Sequence, residues 1–187
     1  MKRFTDYEGG HLNHLEGFYR SEDRGLAVEL AEALEMSVSE IQFTAQSRPV
    51  TALHPNAEDR DPTNNVIFLY EMPEVQRRVI DLIERRFETD PELREAVHVY
   101  RETARNMPPI MPHFGLRYRS AEKLQSVMDK LEQGLSPSLK SRVAVWEVPP
   151  YEPIEGLPDI RQVFVRTNVL TIGAAGFEQA IELQVVR

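Results

Sequence analysis

Apolar residues recur along this chain with two periods, and the two alternate. Leu124, Val127, Met128 and Leu131 fall at i, i+3, i+4 and i+7, the spacing that lines one face of an α-helix. Leu26, Leu30 and Leu34 make a comparable stripe earlier in the chain. Around these stripes lie short runs rich in β-branched and aromatic residues. They are EIQFTA, PVTALH and NNVIFLYEM in the first half, and SRVAVWEV, RQVFVRT and QAIELQVV in the second. Each reads as a strand, with turns such as Pro55-Asn56 and Pro149-Pro150 between them. Ser21 and Ser120 stand at the expected helix N-caps, with acidic residues following that suit the positive end of the helix dipole. Gly134 marks the end of the second helix.

A different pattern separates the halves. MPEVQRRVIDLIERRFE carries Val75, Val79, Leu82, Ile83 and Phe87 at helical spacing. Asp90-Pro91 is a good N-cap and first-turn pair for another helix through Leu93, Val97 and Tyr100, which the prolines of NMPPIMP stop. The expectation is a helical connector over about residues 73–111, lying outside the sheets and offering a surface for a homodimer or a cover for one mouth of a site.

The halves repeat one another. His14, Tyr19, Arg20 and Ser21 return as His113, Tyr118, Arg119 and Ser120, 99 residues on, and Asp23-Arg24 returns as Glu122-Lys123. Each half reads as one strand, one helix and three strands. The fold class expected is α+β: two such modules, about 11–72 and 112–187, in a single domain over 1–187.

Composition narrows the partners. A net charge of −8 disfavours nucleic acid and anionic membranes, because phosphates are repelled. There is no run of roughly 20 apolar residues to span a bilayer, and MKRFTDYEGG lacks the apolar core of a signal peptide. The absence of cysteine removes disulfides and thiolate metal sites and fits a cytoplasmic protein. A small molecule is the expected partner.

Two of the five histidines occupy equivalent places in the repeat. Side chains alternate along a strand, so His14, Glu16 and Phe18 share one face, as do His113, Gly115 and Arg117. The opposite faces, with Leu15 and Tyr19 or Phe114, Leu116 and Tyr118, suit packing on a helix. His11 precedes the first module's strand and reads as solvated, and His98 as a surface residue of the connector.

The motifs NHLEGFYRSED, PHFGLRYRSAE and FEQAIELQV, within duplicated strand–helix–three-strand units, resemble the vicinal oxygen chelate superfamily. That superfamily includes glyoxalase I, ring-cleaving extradiol dioxygenases and bleomycin-resistance proteins. The resemblance implies that the two sheets form a shared open barrel or cup holding a divalent metal. It implies His14 and His113 as ligands and supplies a third, Glu182, from the last strand. This two-histidine, one-carboxylate set suits Fe(II) first, with Mn(II), Zn(II) or Ni(II) as alternatives. The family's fourth position falls at Phe68. Glu71 is a possible fourth ligand but has the reverse alternation parity.

The activity implied is that of a metal-dependent enzyme acting on a small molecule chelated through vicinal oxygens, most like an extradiol-type dioxygenase. Alternatives are a glyoxalase-like lyase or isomerase, and a metal-free ligand-binding or resistance protein. His54 and Tyr70 are candidate acid–base residues; Phe18, Phe68 and Arg117 are candidate substrate contacts. Trp146 and Phe164 would add aromatic lining, and RTNVLTIGAAGF could form a loop or lid.

Overall fold

The computed structural model describes residues 12–61, 63–149, 159–172 and 179–186. In the first half, β1 (His14–Tyr19) runs through a 3₁₀ turn into α1 (Arg24–Ala33), followed by β2 (Ser37–Ile41), β3 (Val50–His54) and β4 (Val66–Glu71). The connector forms α2 (Glu74–Thr89) and α3 (Pro91–Asn106). The second half supplies β5 (His113–Arg117), α4 (Ala121–Gln133), a short α5 (Pro137–Lys140), β6 (Val143–Glu147), β7 (Ile160–Thr167) and β8 (Gln179–Val186).

The result is a mixed α+β fold with two four-stranded sheets, ordered β1-β4-β3-β2 and β5-β8-β7-β6. In each, the first strand pairs in parallel with the last, and the remaining pairs are antiparallel. The sequence repeat is therefore a structural one.

One apolar core serves both halves. It takes Leu30 and Leu34 from the α1 side, Leu124, Val127 and Leu131 from α4, and the helix-facing residues of both sheets, including Leu53, Leu69, Val163 and Leu183. Polar contacts cross the same seam. The Tyr118 hydroxyl donates to the Leu34 carbonyl at 3.0 Å. Ser136 donates from its backbone and its hydroxyl to the Glu29 carboxylate. Glu35, with a left-handed φ of 61° at the end of the first helix, is held by Lys123 and Lys130. The edge of β1 also joins the second half, where Phe18 and Thr171 exchange backbone hydrogen bonds of 2.8 and 2.9 Å. Gly17 permits this approach, since a Cβ there would lie 2.8 Å from the Thr171 carbonyl oxygen.

Three local expectations need correction. β2 ends at Ile41 rather than spanning EIQFTA, because Thr44 and Ser47 hydrogen-bond each other's backbone and close a turn there. Ser120 caps α4 by accepting from the Lys123 N–H, but Ser21 does not cap α1. It opens the 3₁₀ turn and its hydroxyl goes to Glu22.

The third concerns α2, whose inward residue is Ile80, 1% exposed, while Val75, Val79 and Leu82 are 77%, 53% and 51% exposed. Arg20 reaches Asp81 and Glu84, and Arg77 reaches Glu22, and these pairs set the helix's rotation. Ile80→Ala is therefore expected to cost about 2–4 kcal/mol in denaturant unfolding. Val79→Ala should stay within about 0.5 kcal/mol; equal losses would refute this orientation. Among the described residues, no helix is long and apolar enough to cross a membrane.

Candidate functional site

Alternation along the strands sends one set of side chains into the helix-covered core and the other to the opposite face. On the first sheet that face carries His14, Glu16 and Phe18 of β1, Val66, Phe68 and Tyr70 of β4, and Val50, Ala52 and His54 of β3. On the second it carries His113, Gly115 and Arg117 of β5, Glu182 and Gln184 of β8, Gln162, Phe164 and Arg166 of β7, and Trp146 of β6. Ring contacts agree with this reading. His113 meets Phe164 edge-on with centroids 5.2 Å apart, and Trp146 lies 6.2 Å from Phe164.

The sharpest chemistry is the pair His113–Glu182. His113 Nδ1 lies 2.7 Å from the Met111 carbonyl oxygen. A carbonyl only accepts, so Nδ1 carries a proton and Nε2 of the neutral ring keeps its lone pair. That Nε2 faces Glu182 Oε2 at 3.5 Å, too long for a hydrogen bond. Glu182 is 7% exposed, and its other oxygen accepts from the Gln162 amide. Gly115 lies beside Glu182 in register, and a Cβ there would come within 3.3 Å of Oε2. The missing side chain leaves room for the carboxylate.

The first half carries a looser version. His14 Nδ1 is 2.8 Å from Asn13 Oδ1, and Nε2 is 3.9 Å from Glu16 Oε1. The carboxylate here comes from β1 rather than the last strand. Glu16 stands in register with Phe68, as Gly115 does with Glu182. Phe68 thus occupies the place of Glu182, as the sequence repeat implied, and packs between the rings of His14 and Phe43.

The second-half pair brings together one imidazole nitrogen and one carboxylate oxygen, two donors of the kinds that ligate divalent cations. Two donors about 2.1 Å from one ion stand about 3.4 Å apart in a tetrahedral shell and about 3.0 Å apart as neighbours in an octahedral one; the observed 3.5 Å is nearer the first. Both groups are also fixed by hydrogen bonds, the imidazole to the Met111 carbonyl and the carboxylate from the Gln162 amide. His14 is not grouped with the pair. Among the described residues, no three His, Cys, Asp or Glu side chains are arranged to hold a metal ion.

The other candidates fall as follows. The register of β1 with β4 is unbroken through Tyr19↔Glu71. Glu71 therefore keeps the opposite parity, is exposed, and lies 3.8 Å from Arg48. Without a bulge it stays off the histidine face. Phe18 and Tyr70 lie together, ring centroids 6.5 Å apart. Burial, then the charge and hydrogen bond of Glu16, push the Tyr70 hydroxyl's pKa up, so it holds its proton. Arg117 donates from Nε and Nη2 to Gln184 Oε1 at 3.1 and 2.7 Å. Its partner is thus a neutral amide rather than a salt-bridge carboxylate. His98 is exposed on α3. His11 and residues 173–178 of the glycine-rich loop lie outside the described residues.

His54 is the largest departure. It ends β3 fully buried, neither at a rim nor in a turn, with Nε2 3.0 Å from Ser39 Oγ and a buried Nδ1 that has no hydrogen-bond partner in the structure. Burial, and then the Arg60 charge, push its pKa below the ordinary value near 6.5, while Asp59 and Asp61 oppose this. The native state thus holds His54 neutral, and the unfolded chain takes up a proton more readily as pH falls through that value. Its contribution to stability is complete above about pH 6.5 and is lost below it. His54→Gln is expected to flatten the fall in unfolding free energy between about pH 7 and pH 5. Parallel pH profiles for wild type and variant would contradict this.

Gln162, Gln184, Ser39 and the Met111 carbonyl were not legible as site groups. The glutamines share faces with Phe164 and Glu182 by alternation, the one signal that could have found them.

No family model matches the chain, and no curated protein matches it in sequence. A solved structure titled hypothetical protein SA1046 from S. aureus is similar over 95% of this chain and 99% of that one, at 8% identity and a TM-score of 0.41. So slight a likeness carries no conclusion about this chain.

Proposed function

We propose that this chain is a metal-dependent enzyme of the vicinal oxygen chelate type, acting on a small molecule with two neighbouring oxygens, and that ring-cleaving dioxygenase chemistry is the nearest match. The carrying observation is His113 Nε2 facing the buried Glu182 carboxylate at 3.5 Å, with Nδ1 already committed to the Met111 carbonyl. Such a pair calls for a cation between its two lone pairs.

His113 and Glu182 would hold the ion, Fe(II) first; the family resemblance names His14 as a third ligand, which this structure does not bring to the pair. Bound there, a divalent ion supplies Lewis-acid polarisation of the substrate oxygens. The chain's own residues do the rest. Met111 fixes the plane of the His113 ring, and Gln162 fixes the Glu182 carboxylate. Trp146 gives a substrate ring an apolar wall with the fully buried Phe164 behind it, and Phe18 does so on the first half with the buried Phe68 behind it. Tyr70 keeps its proton and can donate it to a substrate oxygen, and Arg117, braced by Gln184, offers a cation at the exposed end. No acid–base step is assigned to His54, whose ring is closed in against Ser39.

A second reading is favoured by the separation of His14 from the pair: a metal-free protein that binds an aromatic ligand on the same face. Oxygen uptake distinguishes the two. Protein reconstituted anaerobically with Fe(II) and given a panel of catechols is expected to consume O2 and to stop when a chelator is added. Catechol binding that is insensitive to chelator, with no oxygen uptake, favours the binding protein.

A further inference from the structure

The connector holds six of the ten large apolar side chains that are exposed among the described residues. On α2 these are Val75, Val79 and Leu82, at i, i+4 and i+7, and on α3 the stripe centres on Val99, 53% exposed. The outward turn is built in. The pairs from Arg20 to Asp81 and Glu84, and from Arg77 to Glu22, hold Ile80 inward, and rotating α2 to cover its stripe would break them. The bend between the helices is also held. Asp90 caps α3 by accepting from the Leu93 N–H, and Arg94 donates to the Phe87 and Glu88 carbonyls at 2.8 and 2.6 Å. Apolar faces fixed outward on both helices mark a contact surface.

The charges beside the two stripes have opposite signs. Arg78 follows Val75 by three residues and Arg85 follows Leu82 by three, so both flank the α2 stripe. Glu92 and Glu95 lie seven and four residues before Val99, on its side of α3. All four are exposed. No ion pair ties any of them to another described residue, whereas the neighbouring Arg86 and Glu102 are taken by Asp90 and Arg105. The α2 face is thus apolar and basic, and the α3 face apolar and acidic. Each repels its own kind and attracts the other. Under a two-fold axis such a contact is made twice, α2 on α3 and α3 on α2, and the assembly closes as a pair.

We propose that the connector is the interface between two copies of this chain, with α2 of each lying on α3 of the other. Val79 and Leu82 then pack against the partner's Val99, and Arg78 and Arg85 stand beside the partner's Glu92 and Glu95. Nothing in this needs a bound metal, so it stands apart from the functional reading above.

Sedimentation velocity of chelator-treated protein, from low to high micromolar concentration at constant ionic strength, tests this. Wild type is expected to pass from monomer to dimer and no further. Leu82→Glu sets an acid against the acidic α3 face and should raise the dimer dissociation constant about tenfold or more. Charge reversal gives the more specific readout. A chain with Arg78→Glu and Arg85→Glu carries acids on both faces, and one with Glu92→Arg and Glu95→Arg carries cations on both. Each alone should stay monomeric, and an equimolar mixture should form a heterodimer, because both α2–α3 contacts then join opposite signs. If a charge variant fails to fold, Leu82→Glu decides, and a dimer as tight as wild type overturns the proposal. A wild type that is monomeric throughout leaves the face to a different partner and also overturns it. So does growth past the dimer, or a mixture that associates no better than either variant alone.

Discussion

Glu182→Gln is expected to lower divalent-metal affinity by about a hundredfold or more while leaving the fold in place. The amide keeps the shape of the side chain but removes the charge that faces His113 Nε2 across 3.5 Å. Loss of an outer hydrogen bond typically costs about 10–100-fold in metal affinity, so Gln162→Leu, which frees the other Glu182 oxygen, should fall in that lower range. Stability should move the other way. Glu182 sits in β8 between Ile181 and Leu183, 1% and 0% exposed. Burying a carboxylate there is costly without a cation. Glu182→Leu should therefore be neutral or stabilising in the metal-free protein, as apolar replacements of buried ionic groups often are. A variant that loses metal and gains stability marks a residue kept for function; a Glu182→Leu protein that unfolds would make the carboxylate structural.

The second large effect is expected at the seam between the halves. Asp23 is 4% exposed and receives Arg142 from the other half through two of its nitrogens. Asp23→Ala leaves that guanidinium, itself three-quarters covered, without its carboxylate. Removing one partner of a buried pair costs about 3–5 kcal/mol. The part-exposed Arg142 places this case near the lower bound, about 3 kcal/mol in denaturant unfolding. The double variant Asp23→Leu, Arg142→Met should recover much of the loss, because both desolvated charges go together. A single variant within about 0.5 kcal/mol of wild type would mean that the pair does not join the halves.

Much of this architecture was legible in the sequence. The Leu124–Leu131 stripe had helical spacing and became a buried helix face, and the repeated His–Tyr–Arg–Ser motif became two equivalent first strands. Alternation set Glu182 apart from Ile181 and Leu183 and gave Glu71 the reverse parity, while the pairing of Glu182 with His113 came from the family resemblance. What was not legible depended on contacts between distant segments. The stripe Val75, Val79, Leu82 had the right period, but ion pairs from Arg20 and Arg77 turned Ile80 inward instead. His54 looked like a turn residue beside Pro55, yet tertiary packing closes it off completely. Arg142 reaches Asp23 from 119 residues away, and no local pattern joins the two.

The most direct test of the central claim is metal stoichiometry by mass spectrometry on wild type and His113→Ala after stripping and anaerobic reconstitution with Fe(II). His113 contributes its Nε2 alone, is partly exposed, and makes no core contact that the fold requires beyond the edge of Phe164. The account predicts one ion per wild-type chain and an essentially empty His113→Ala protein that unfolds at the same denaturant concentration in its metal-free form. A wild-type protein that stays metal-free, or a His113→Ala protein that fills as wild type does, would contradict it.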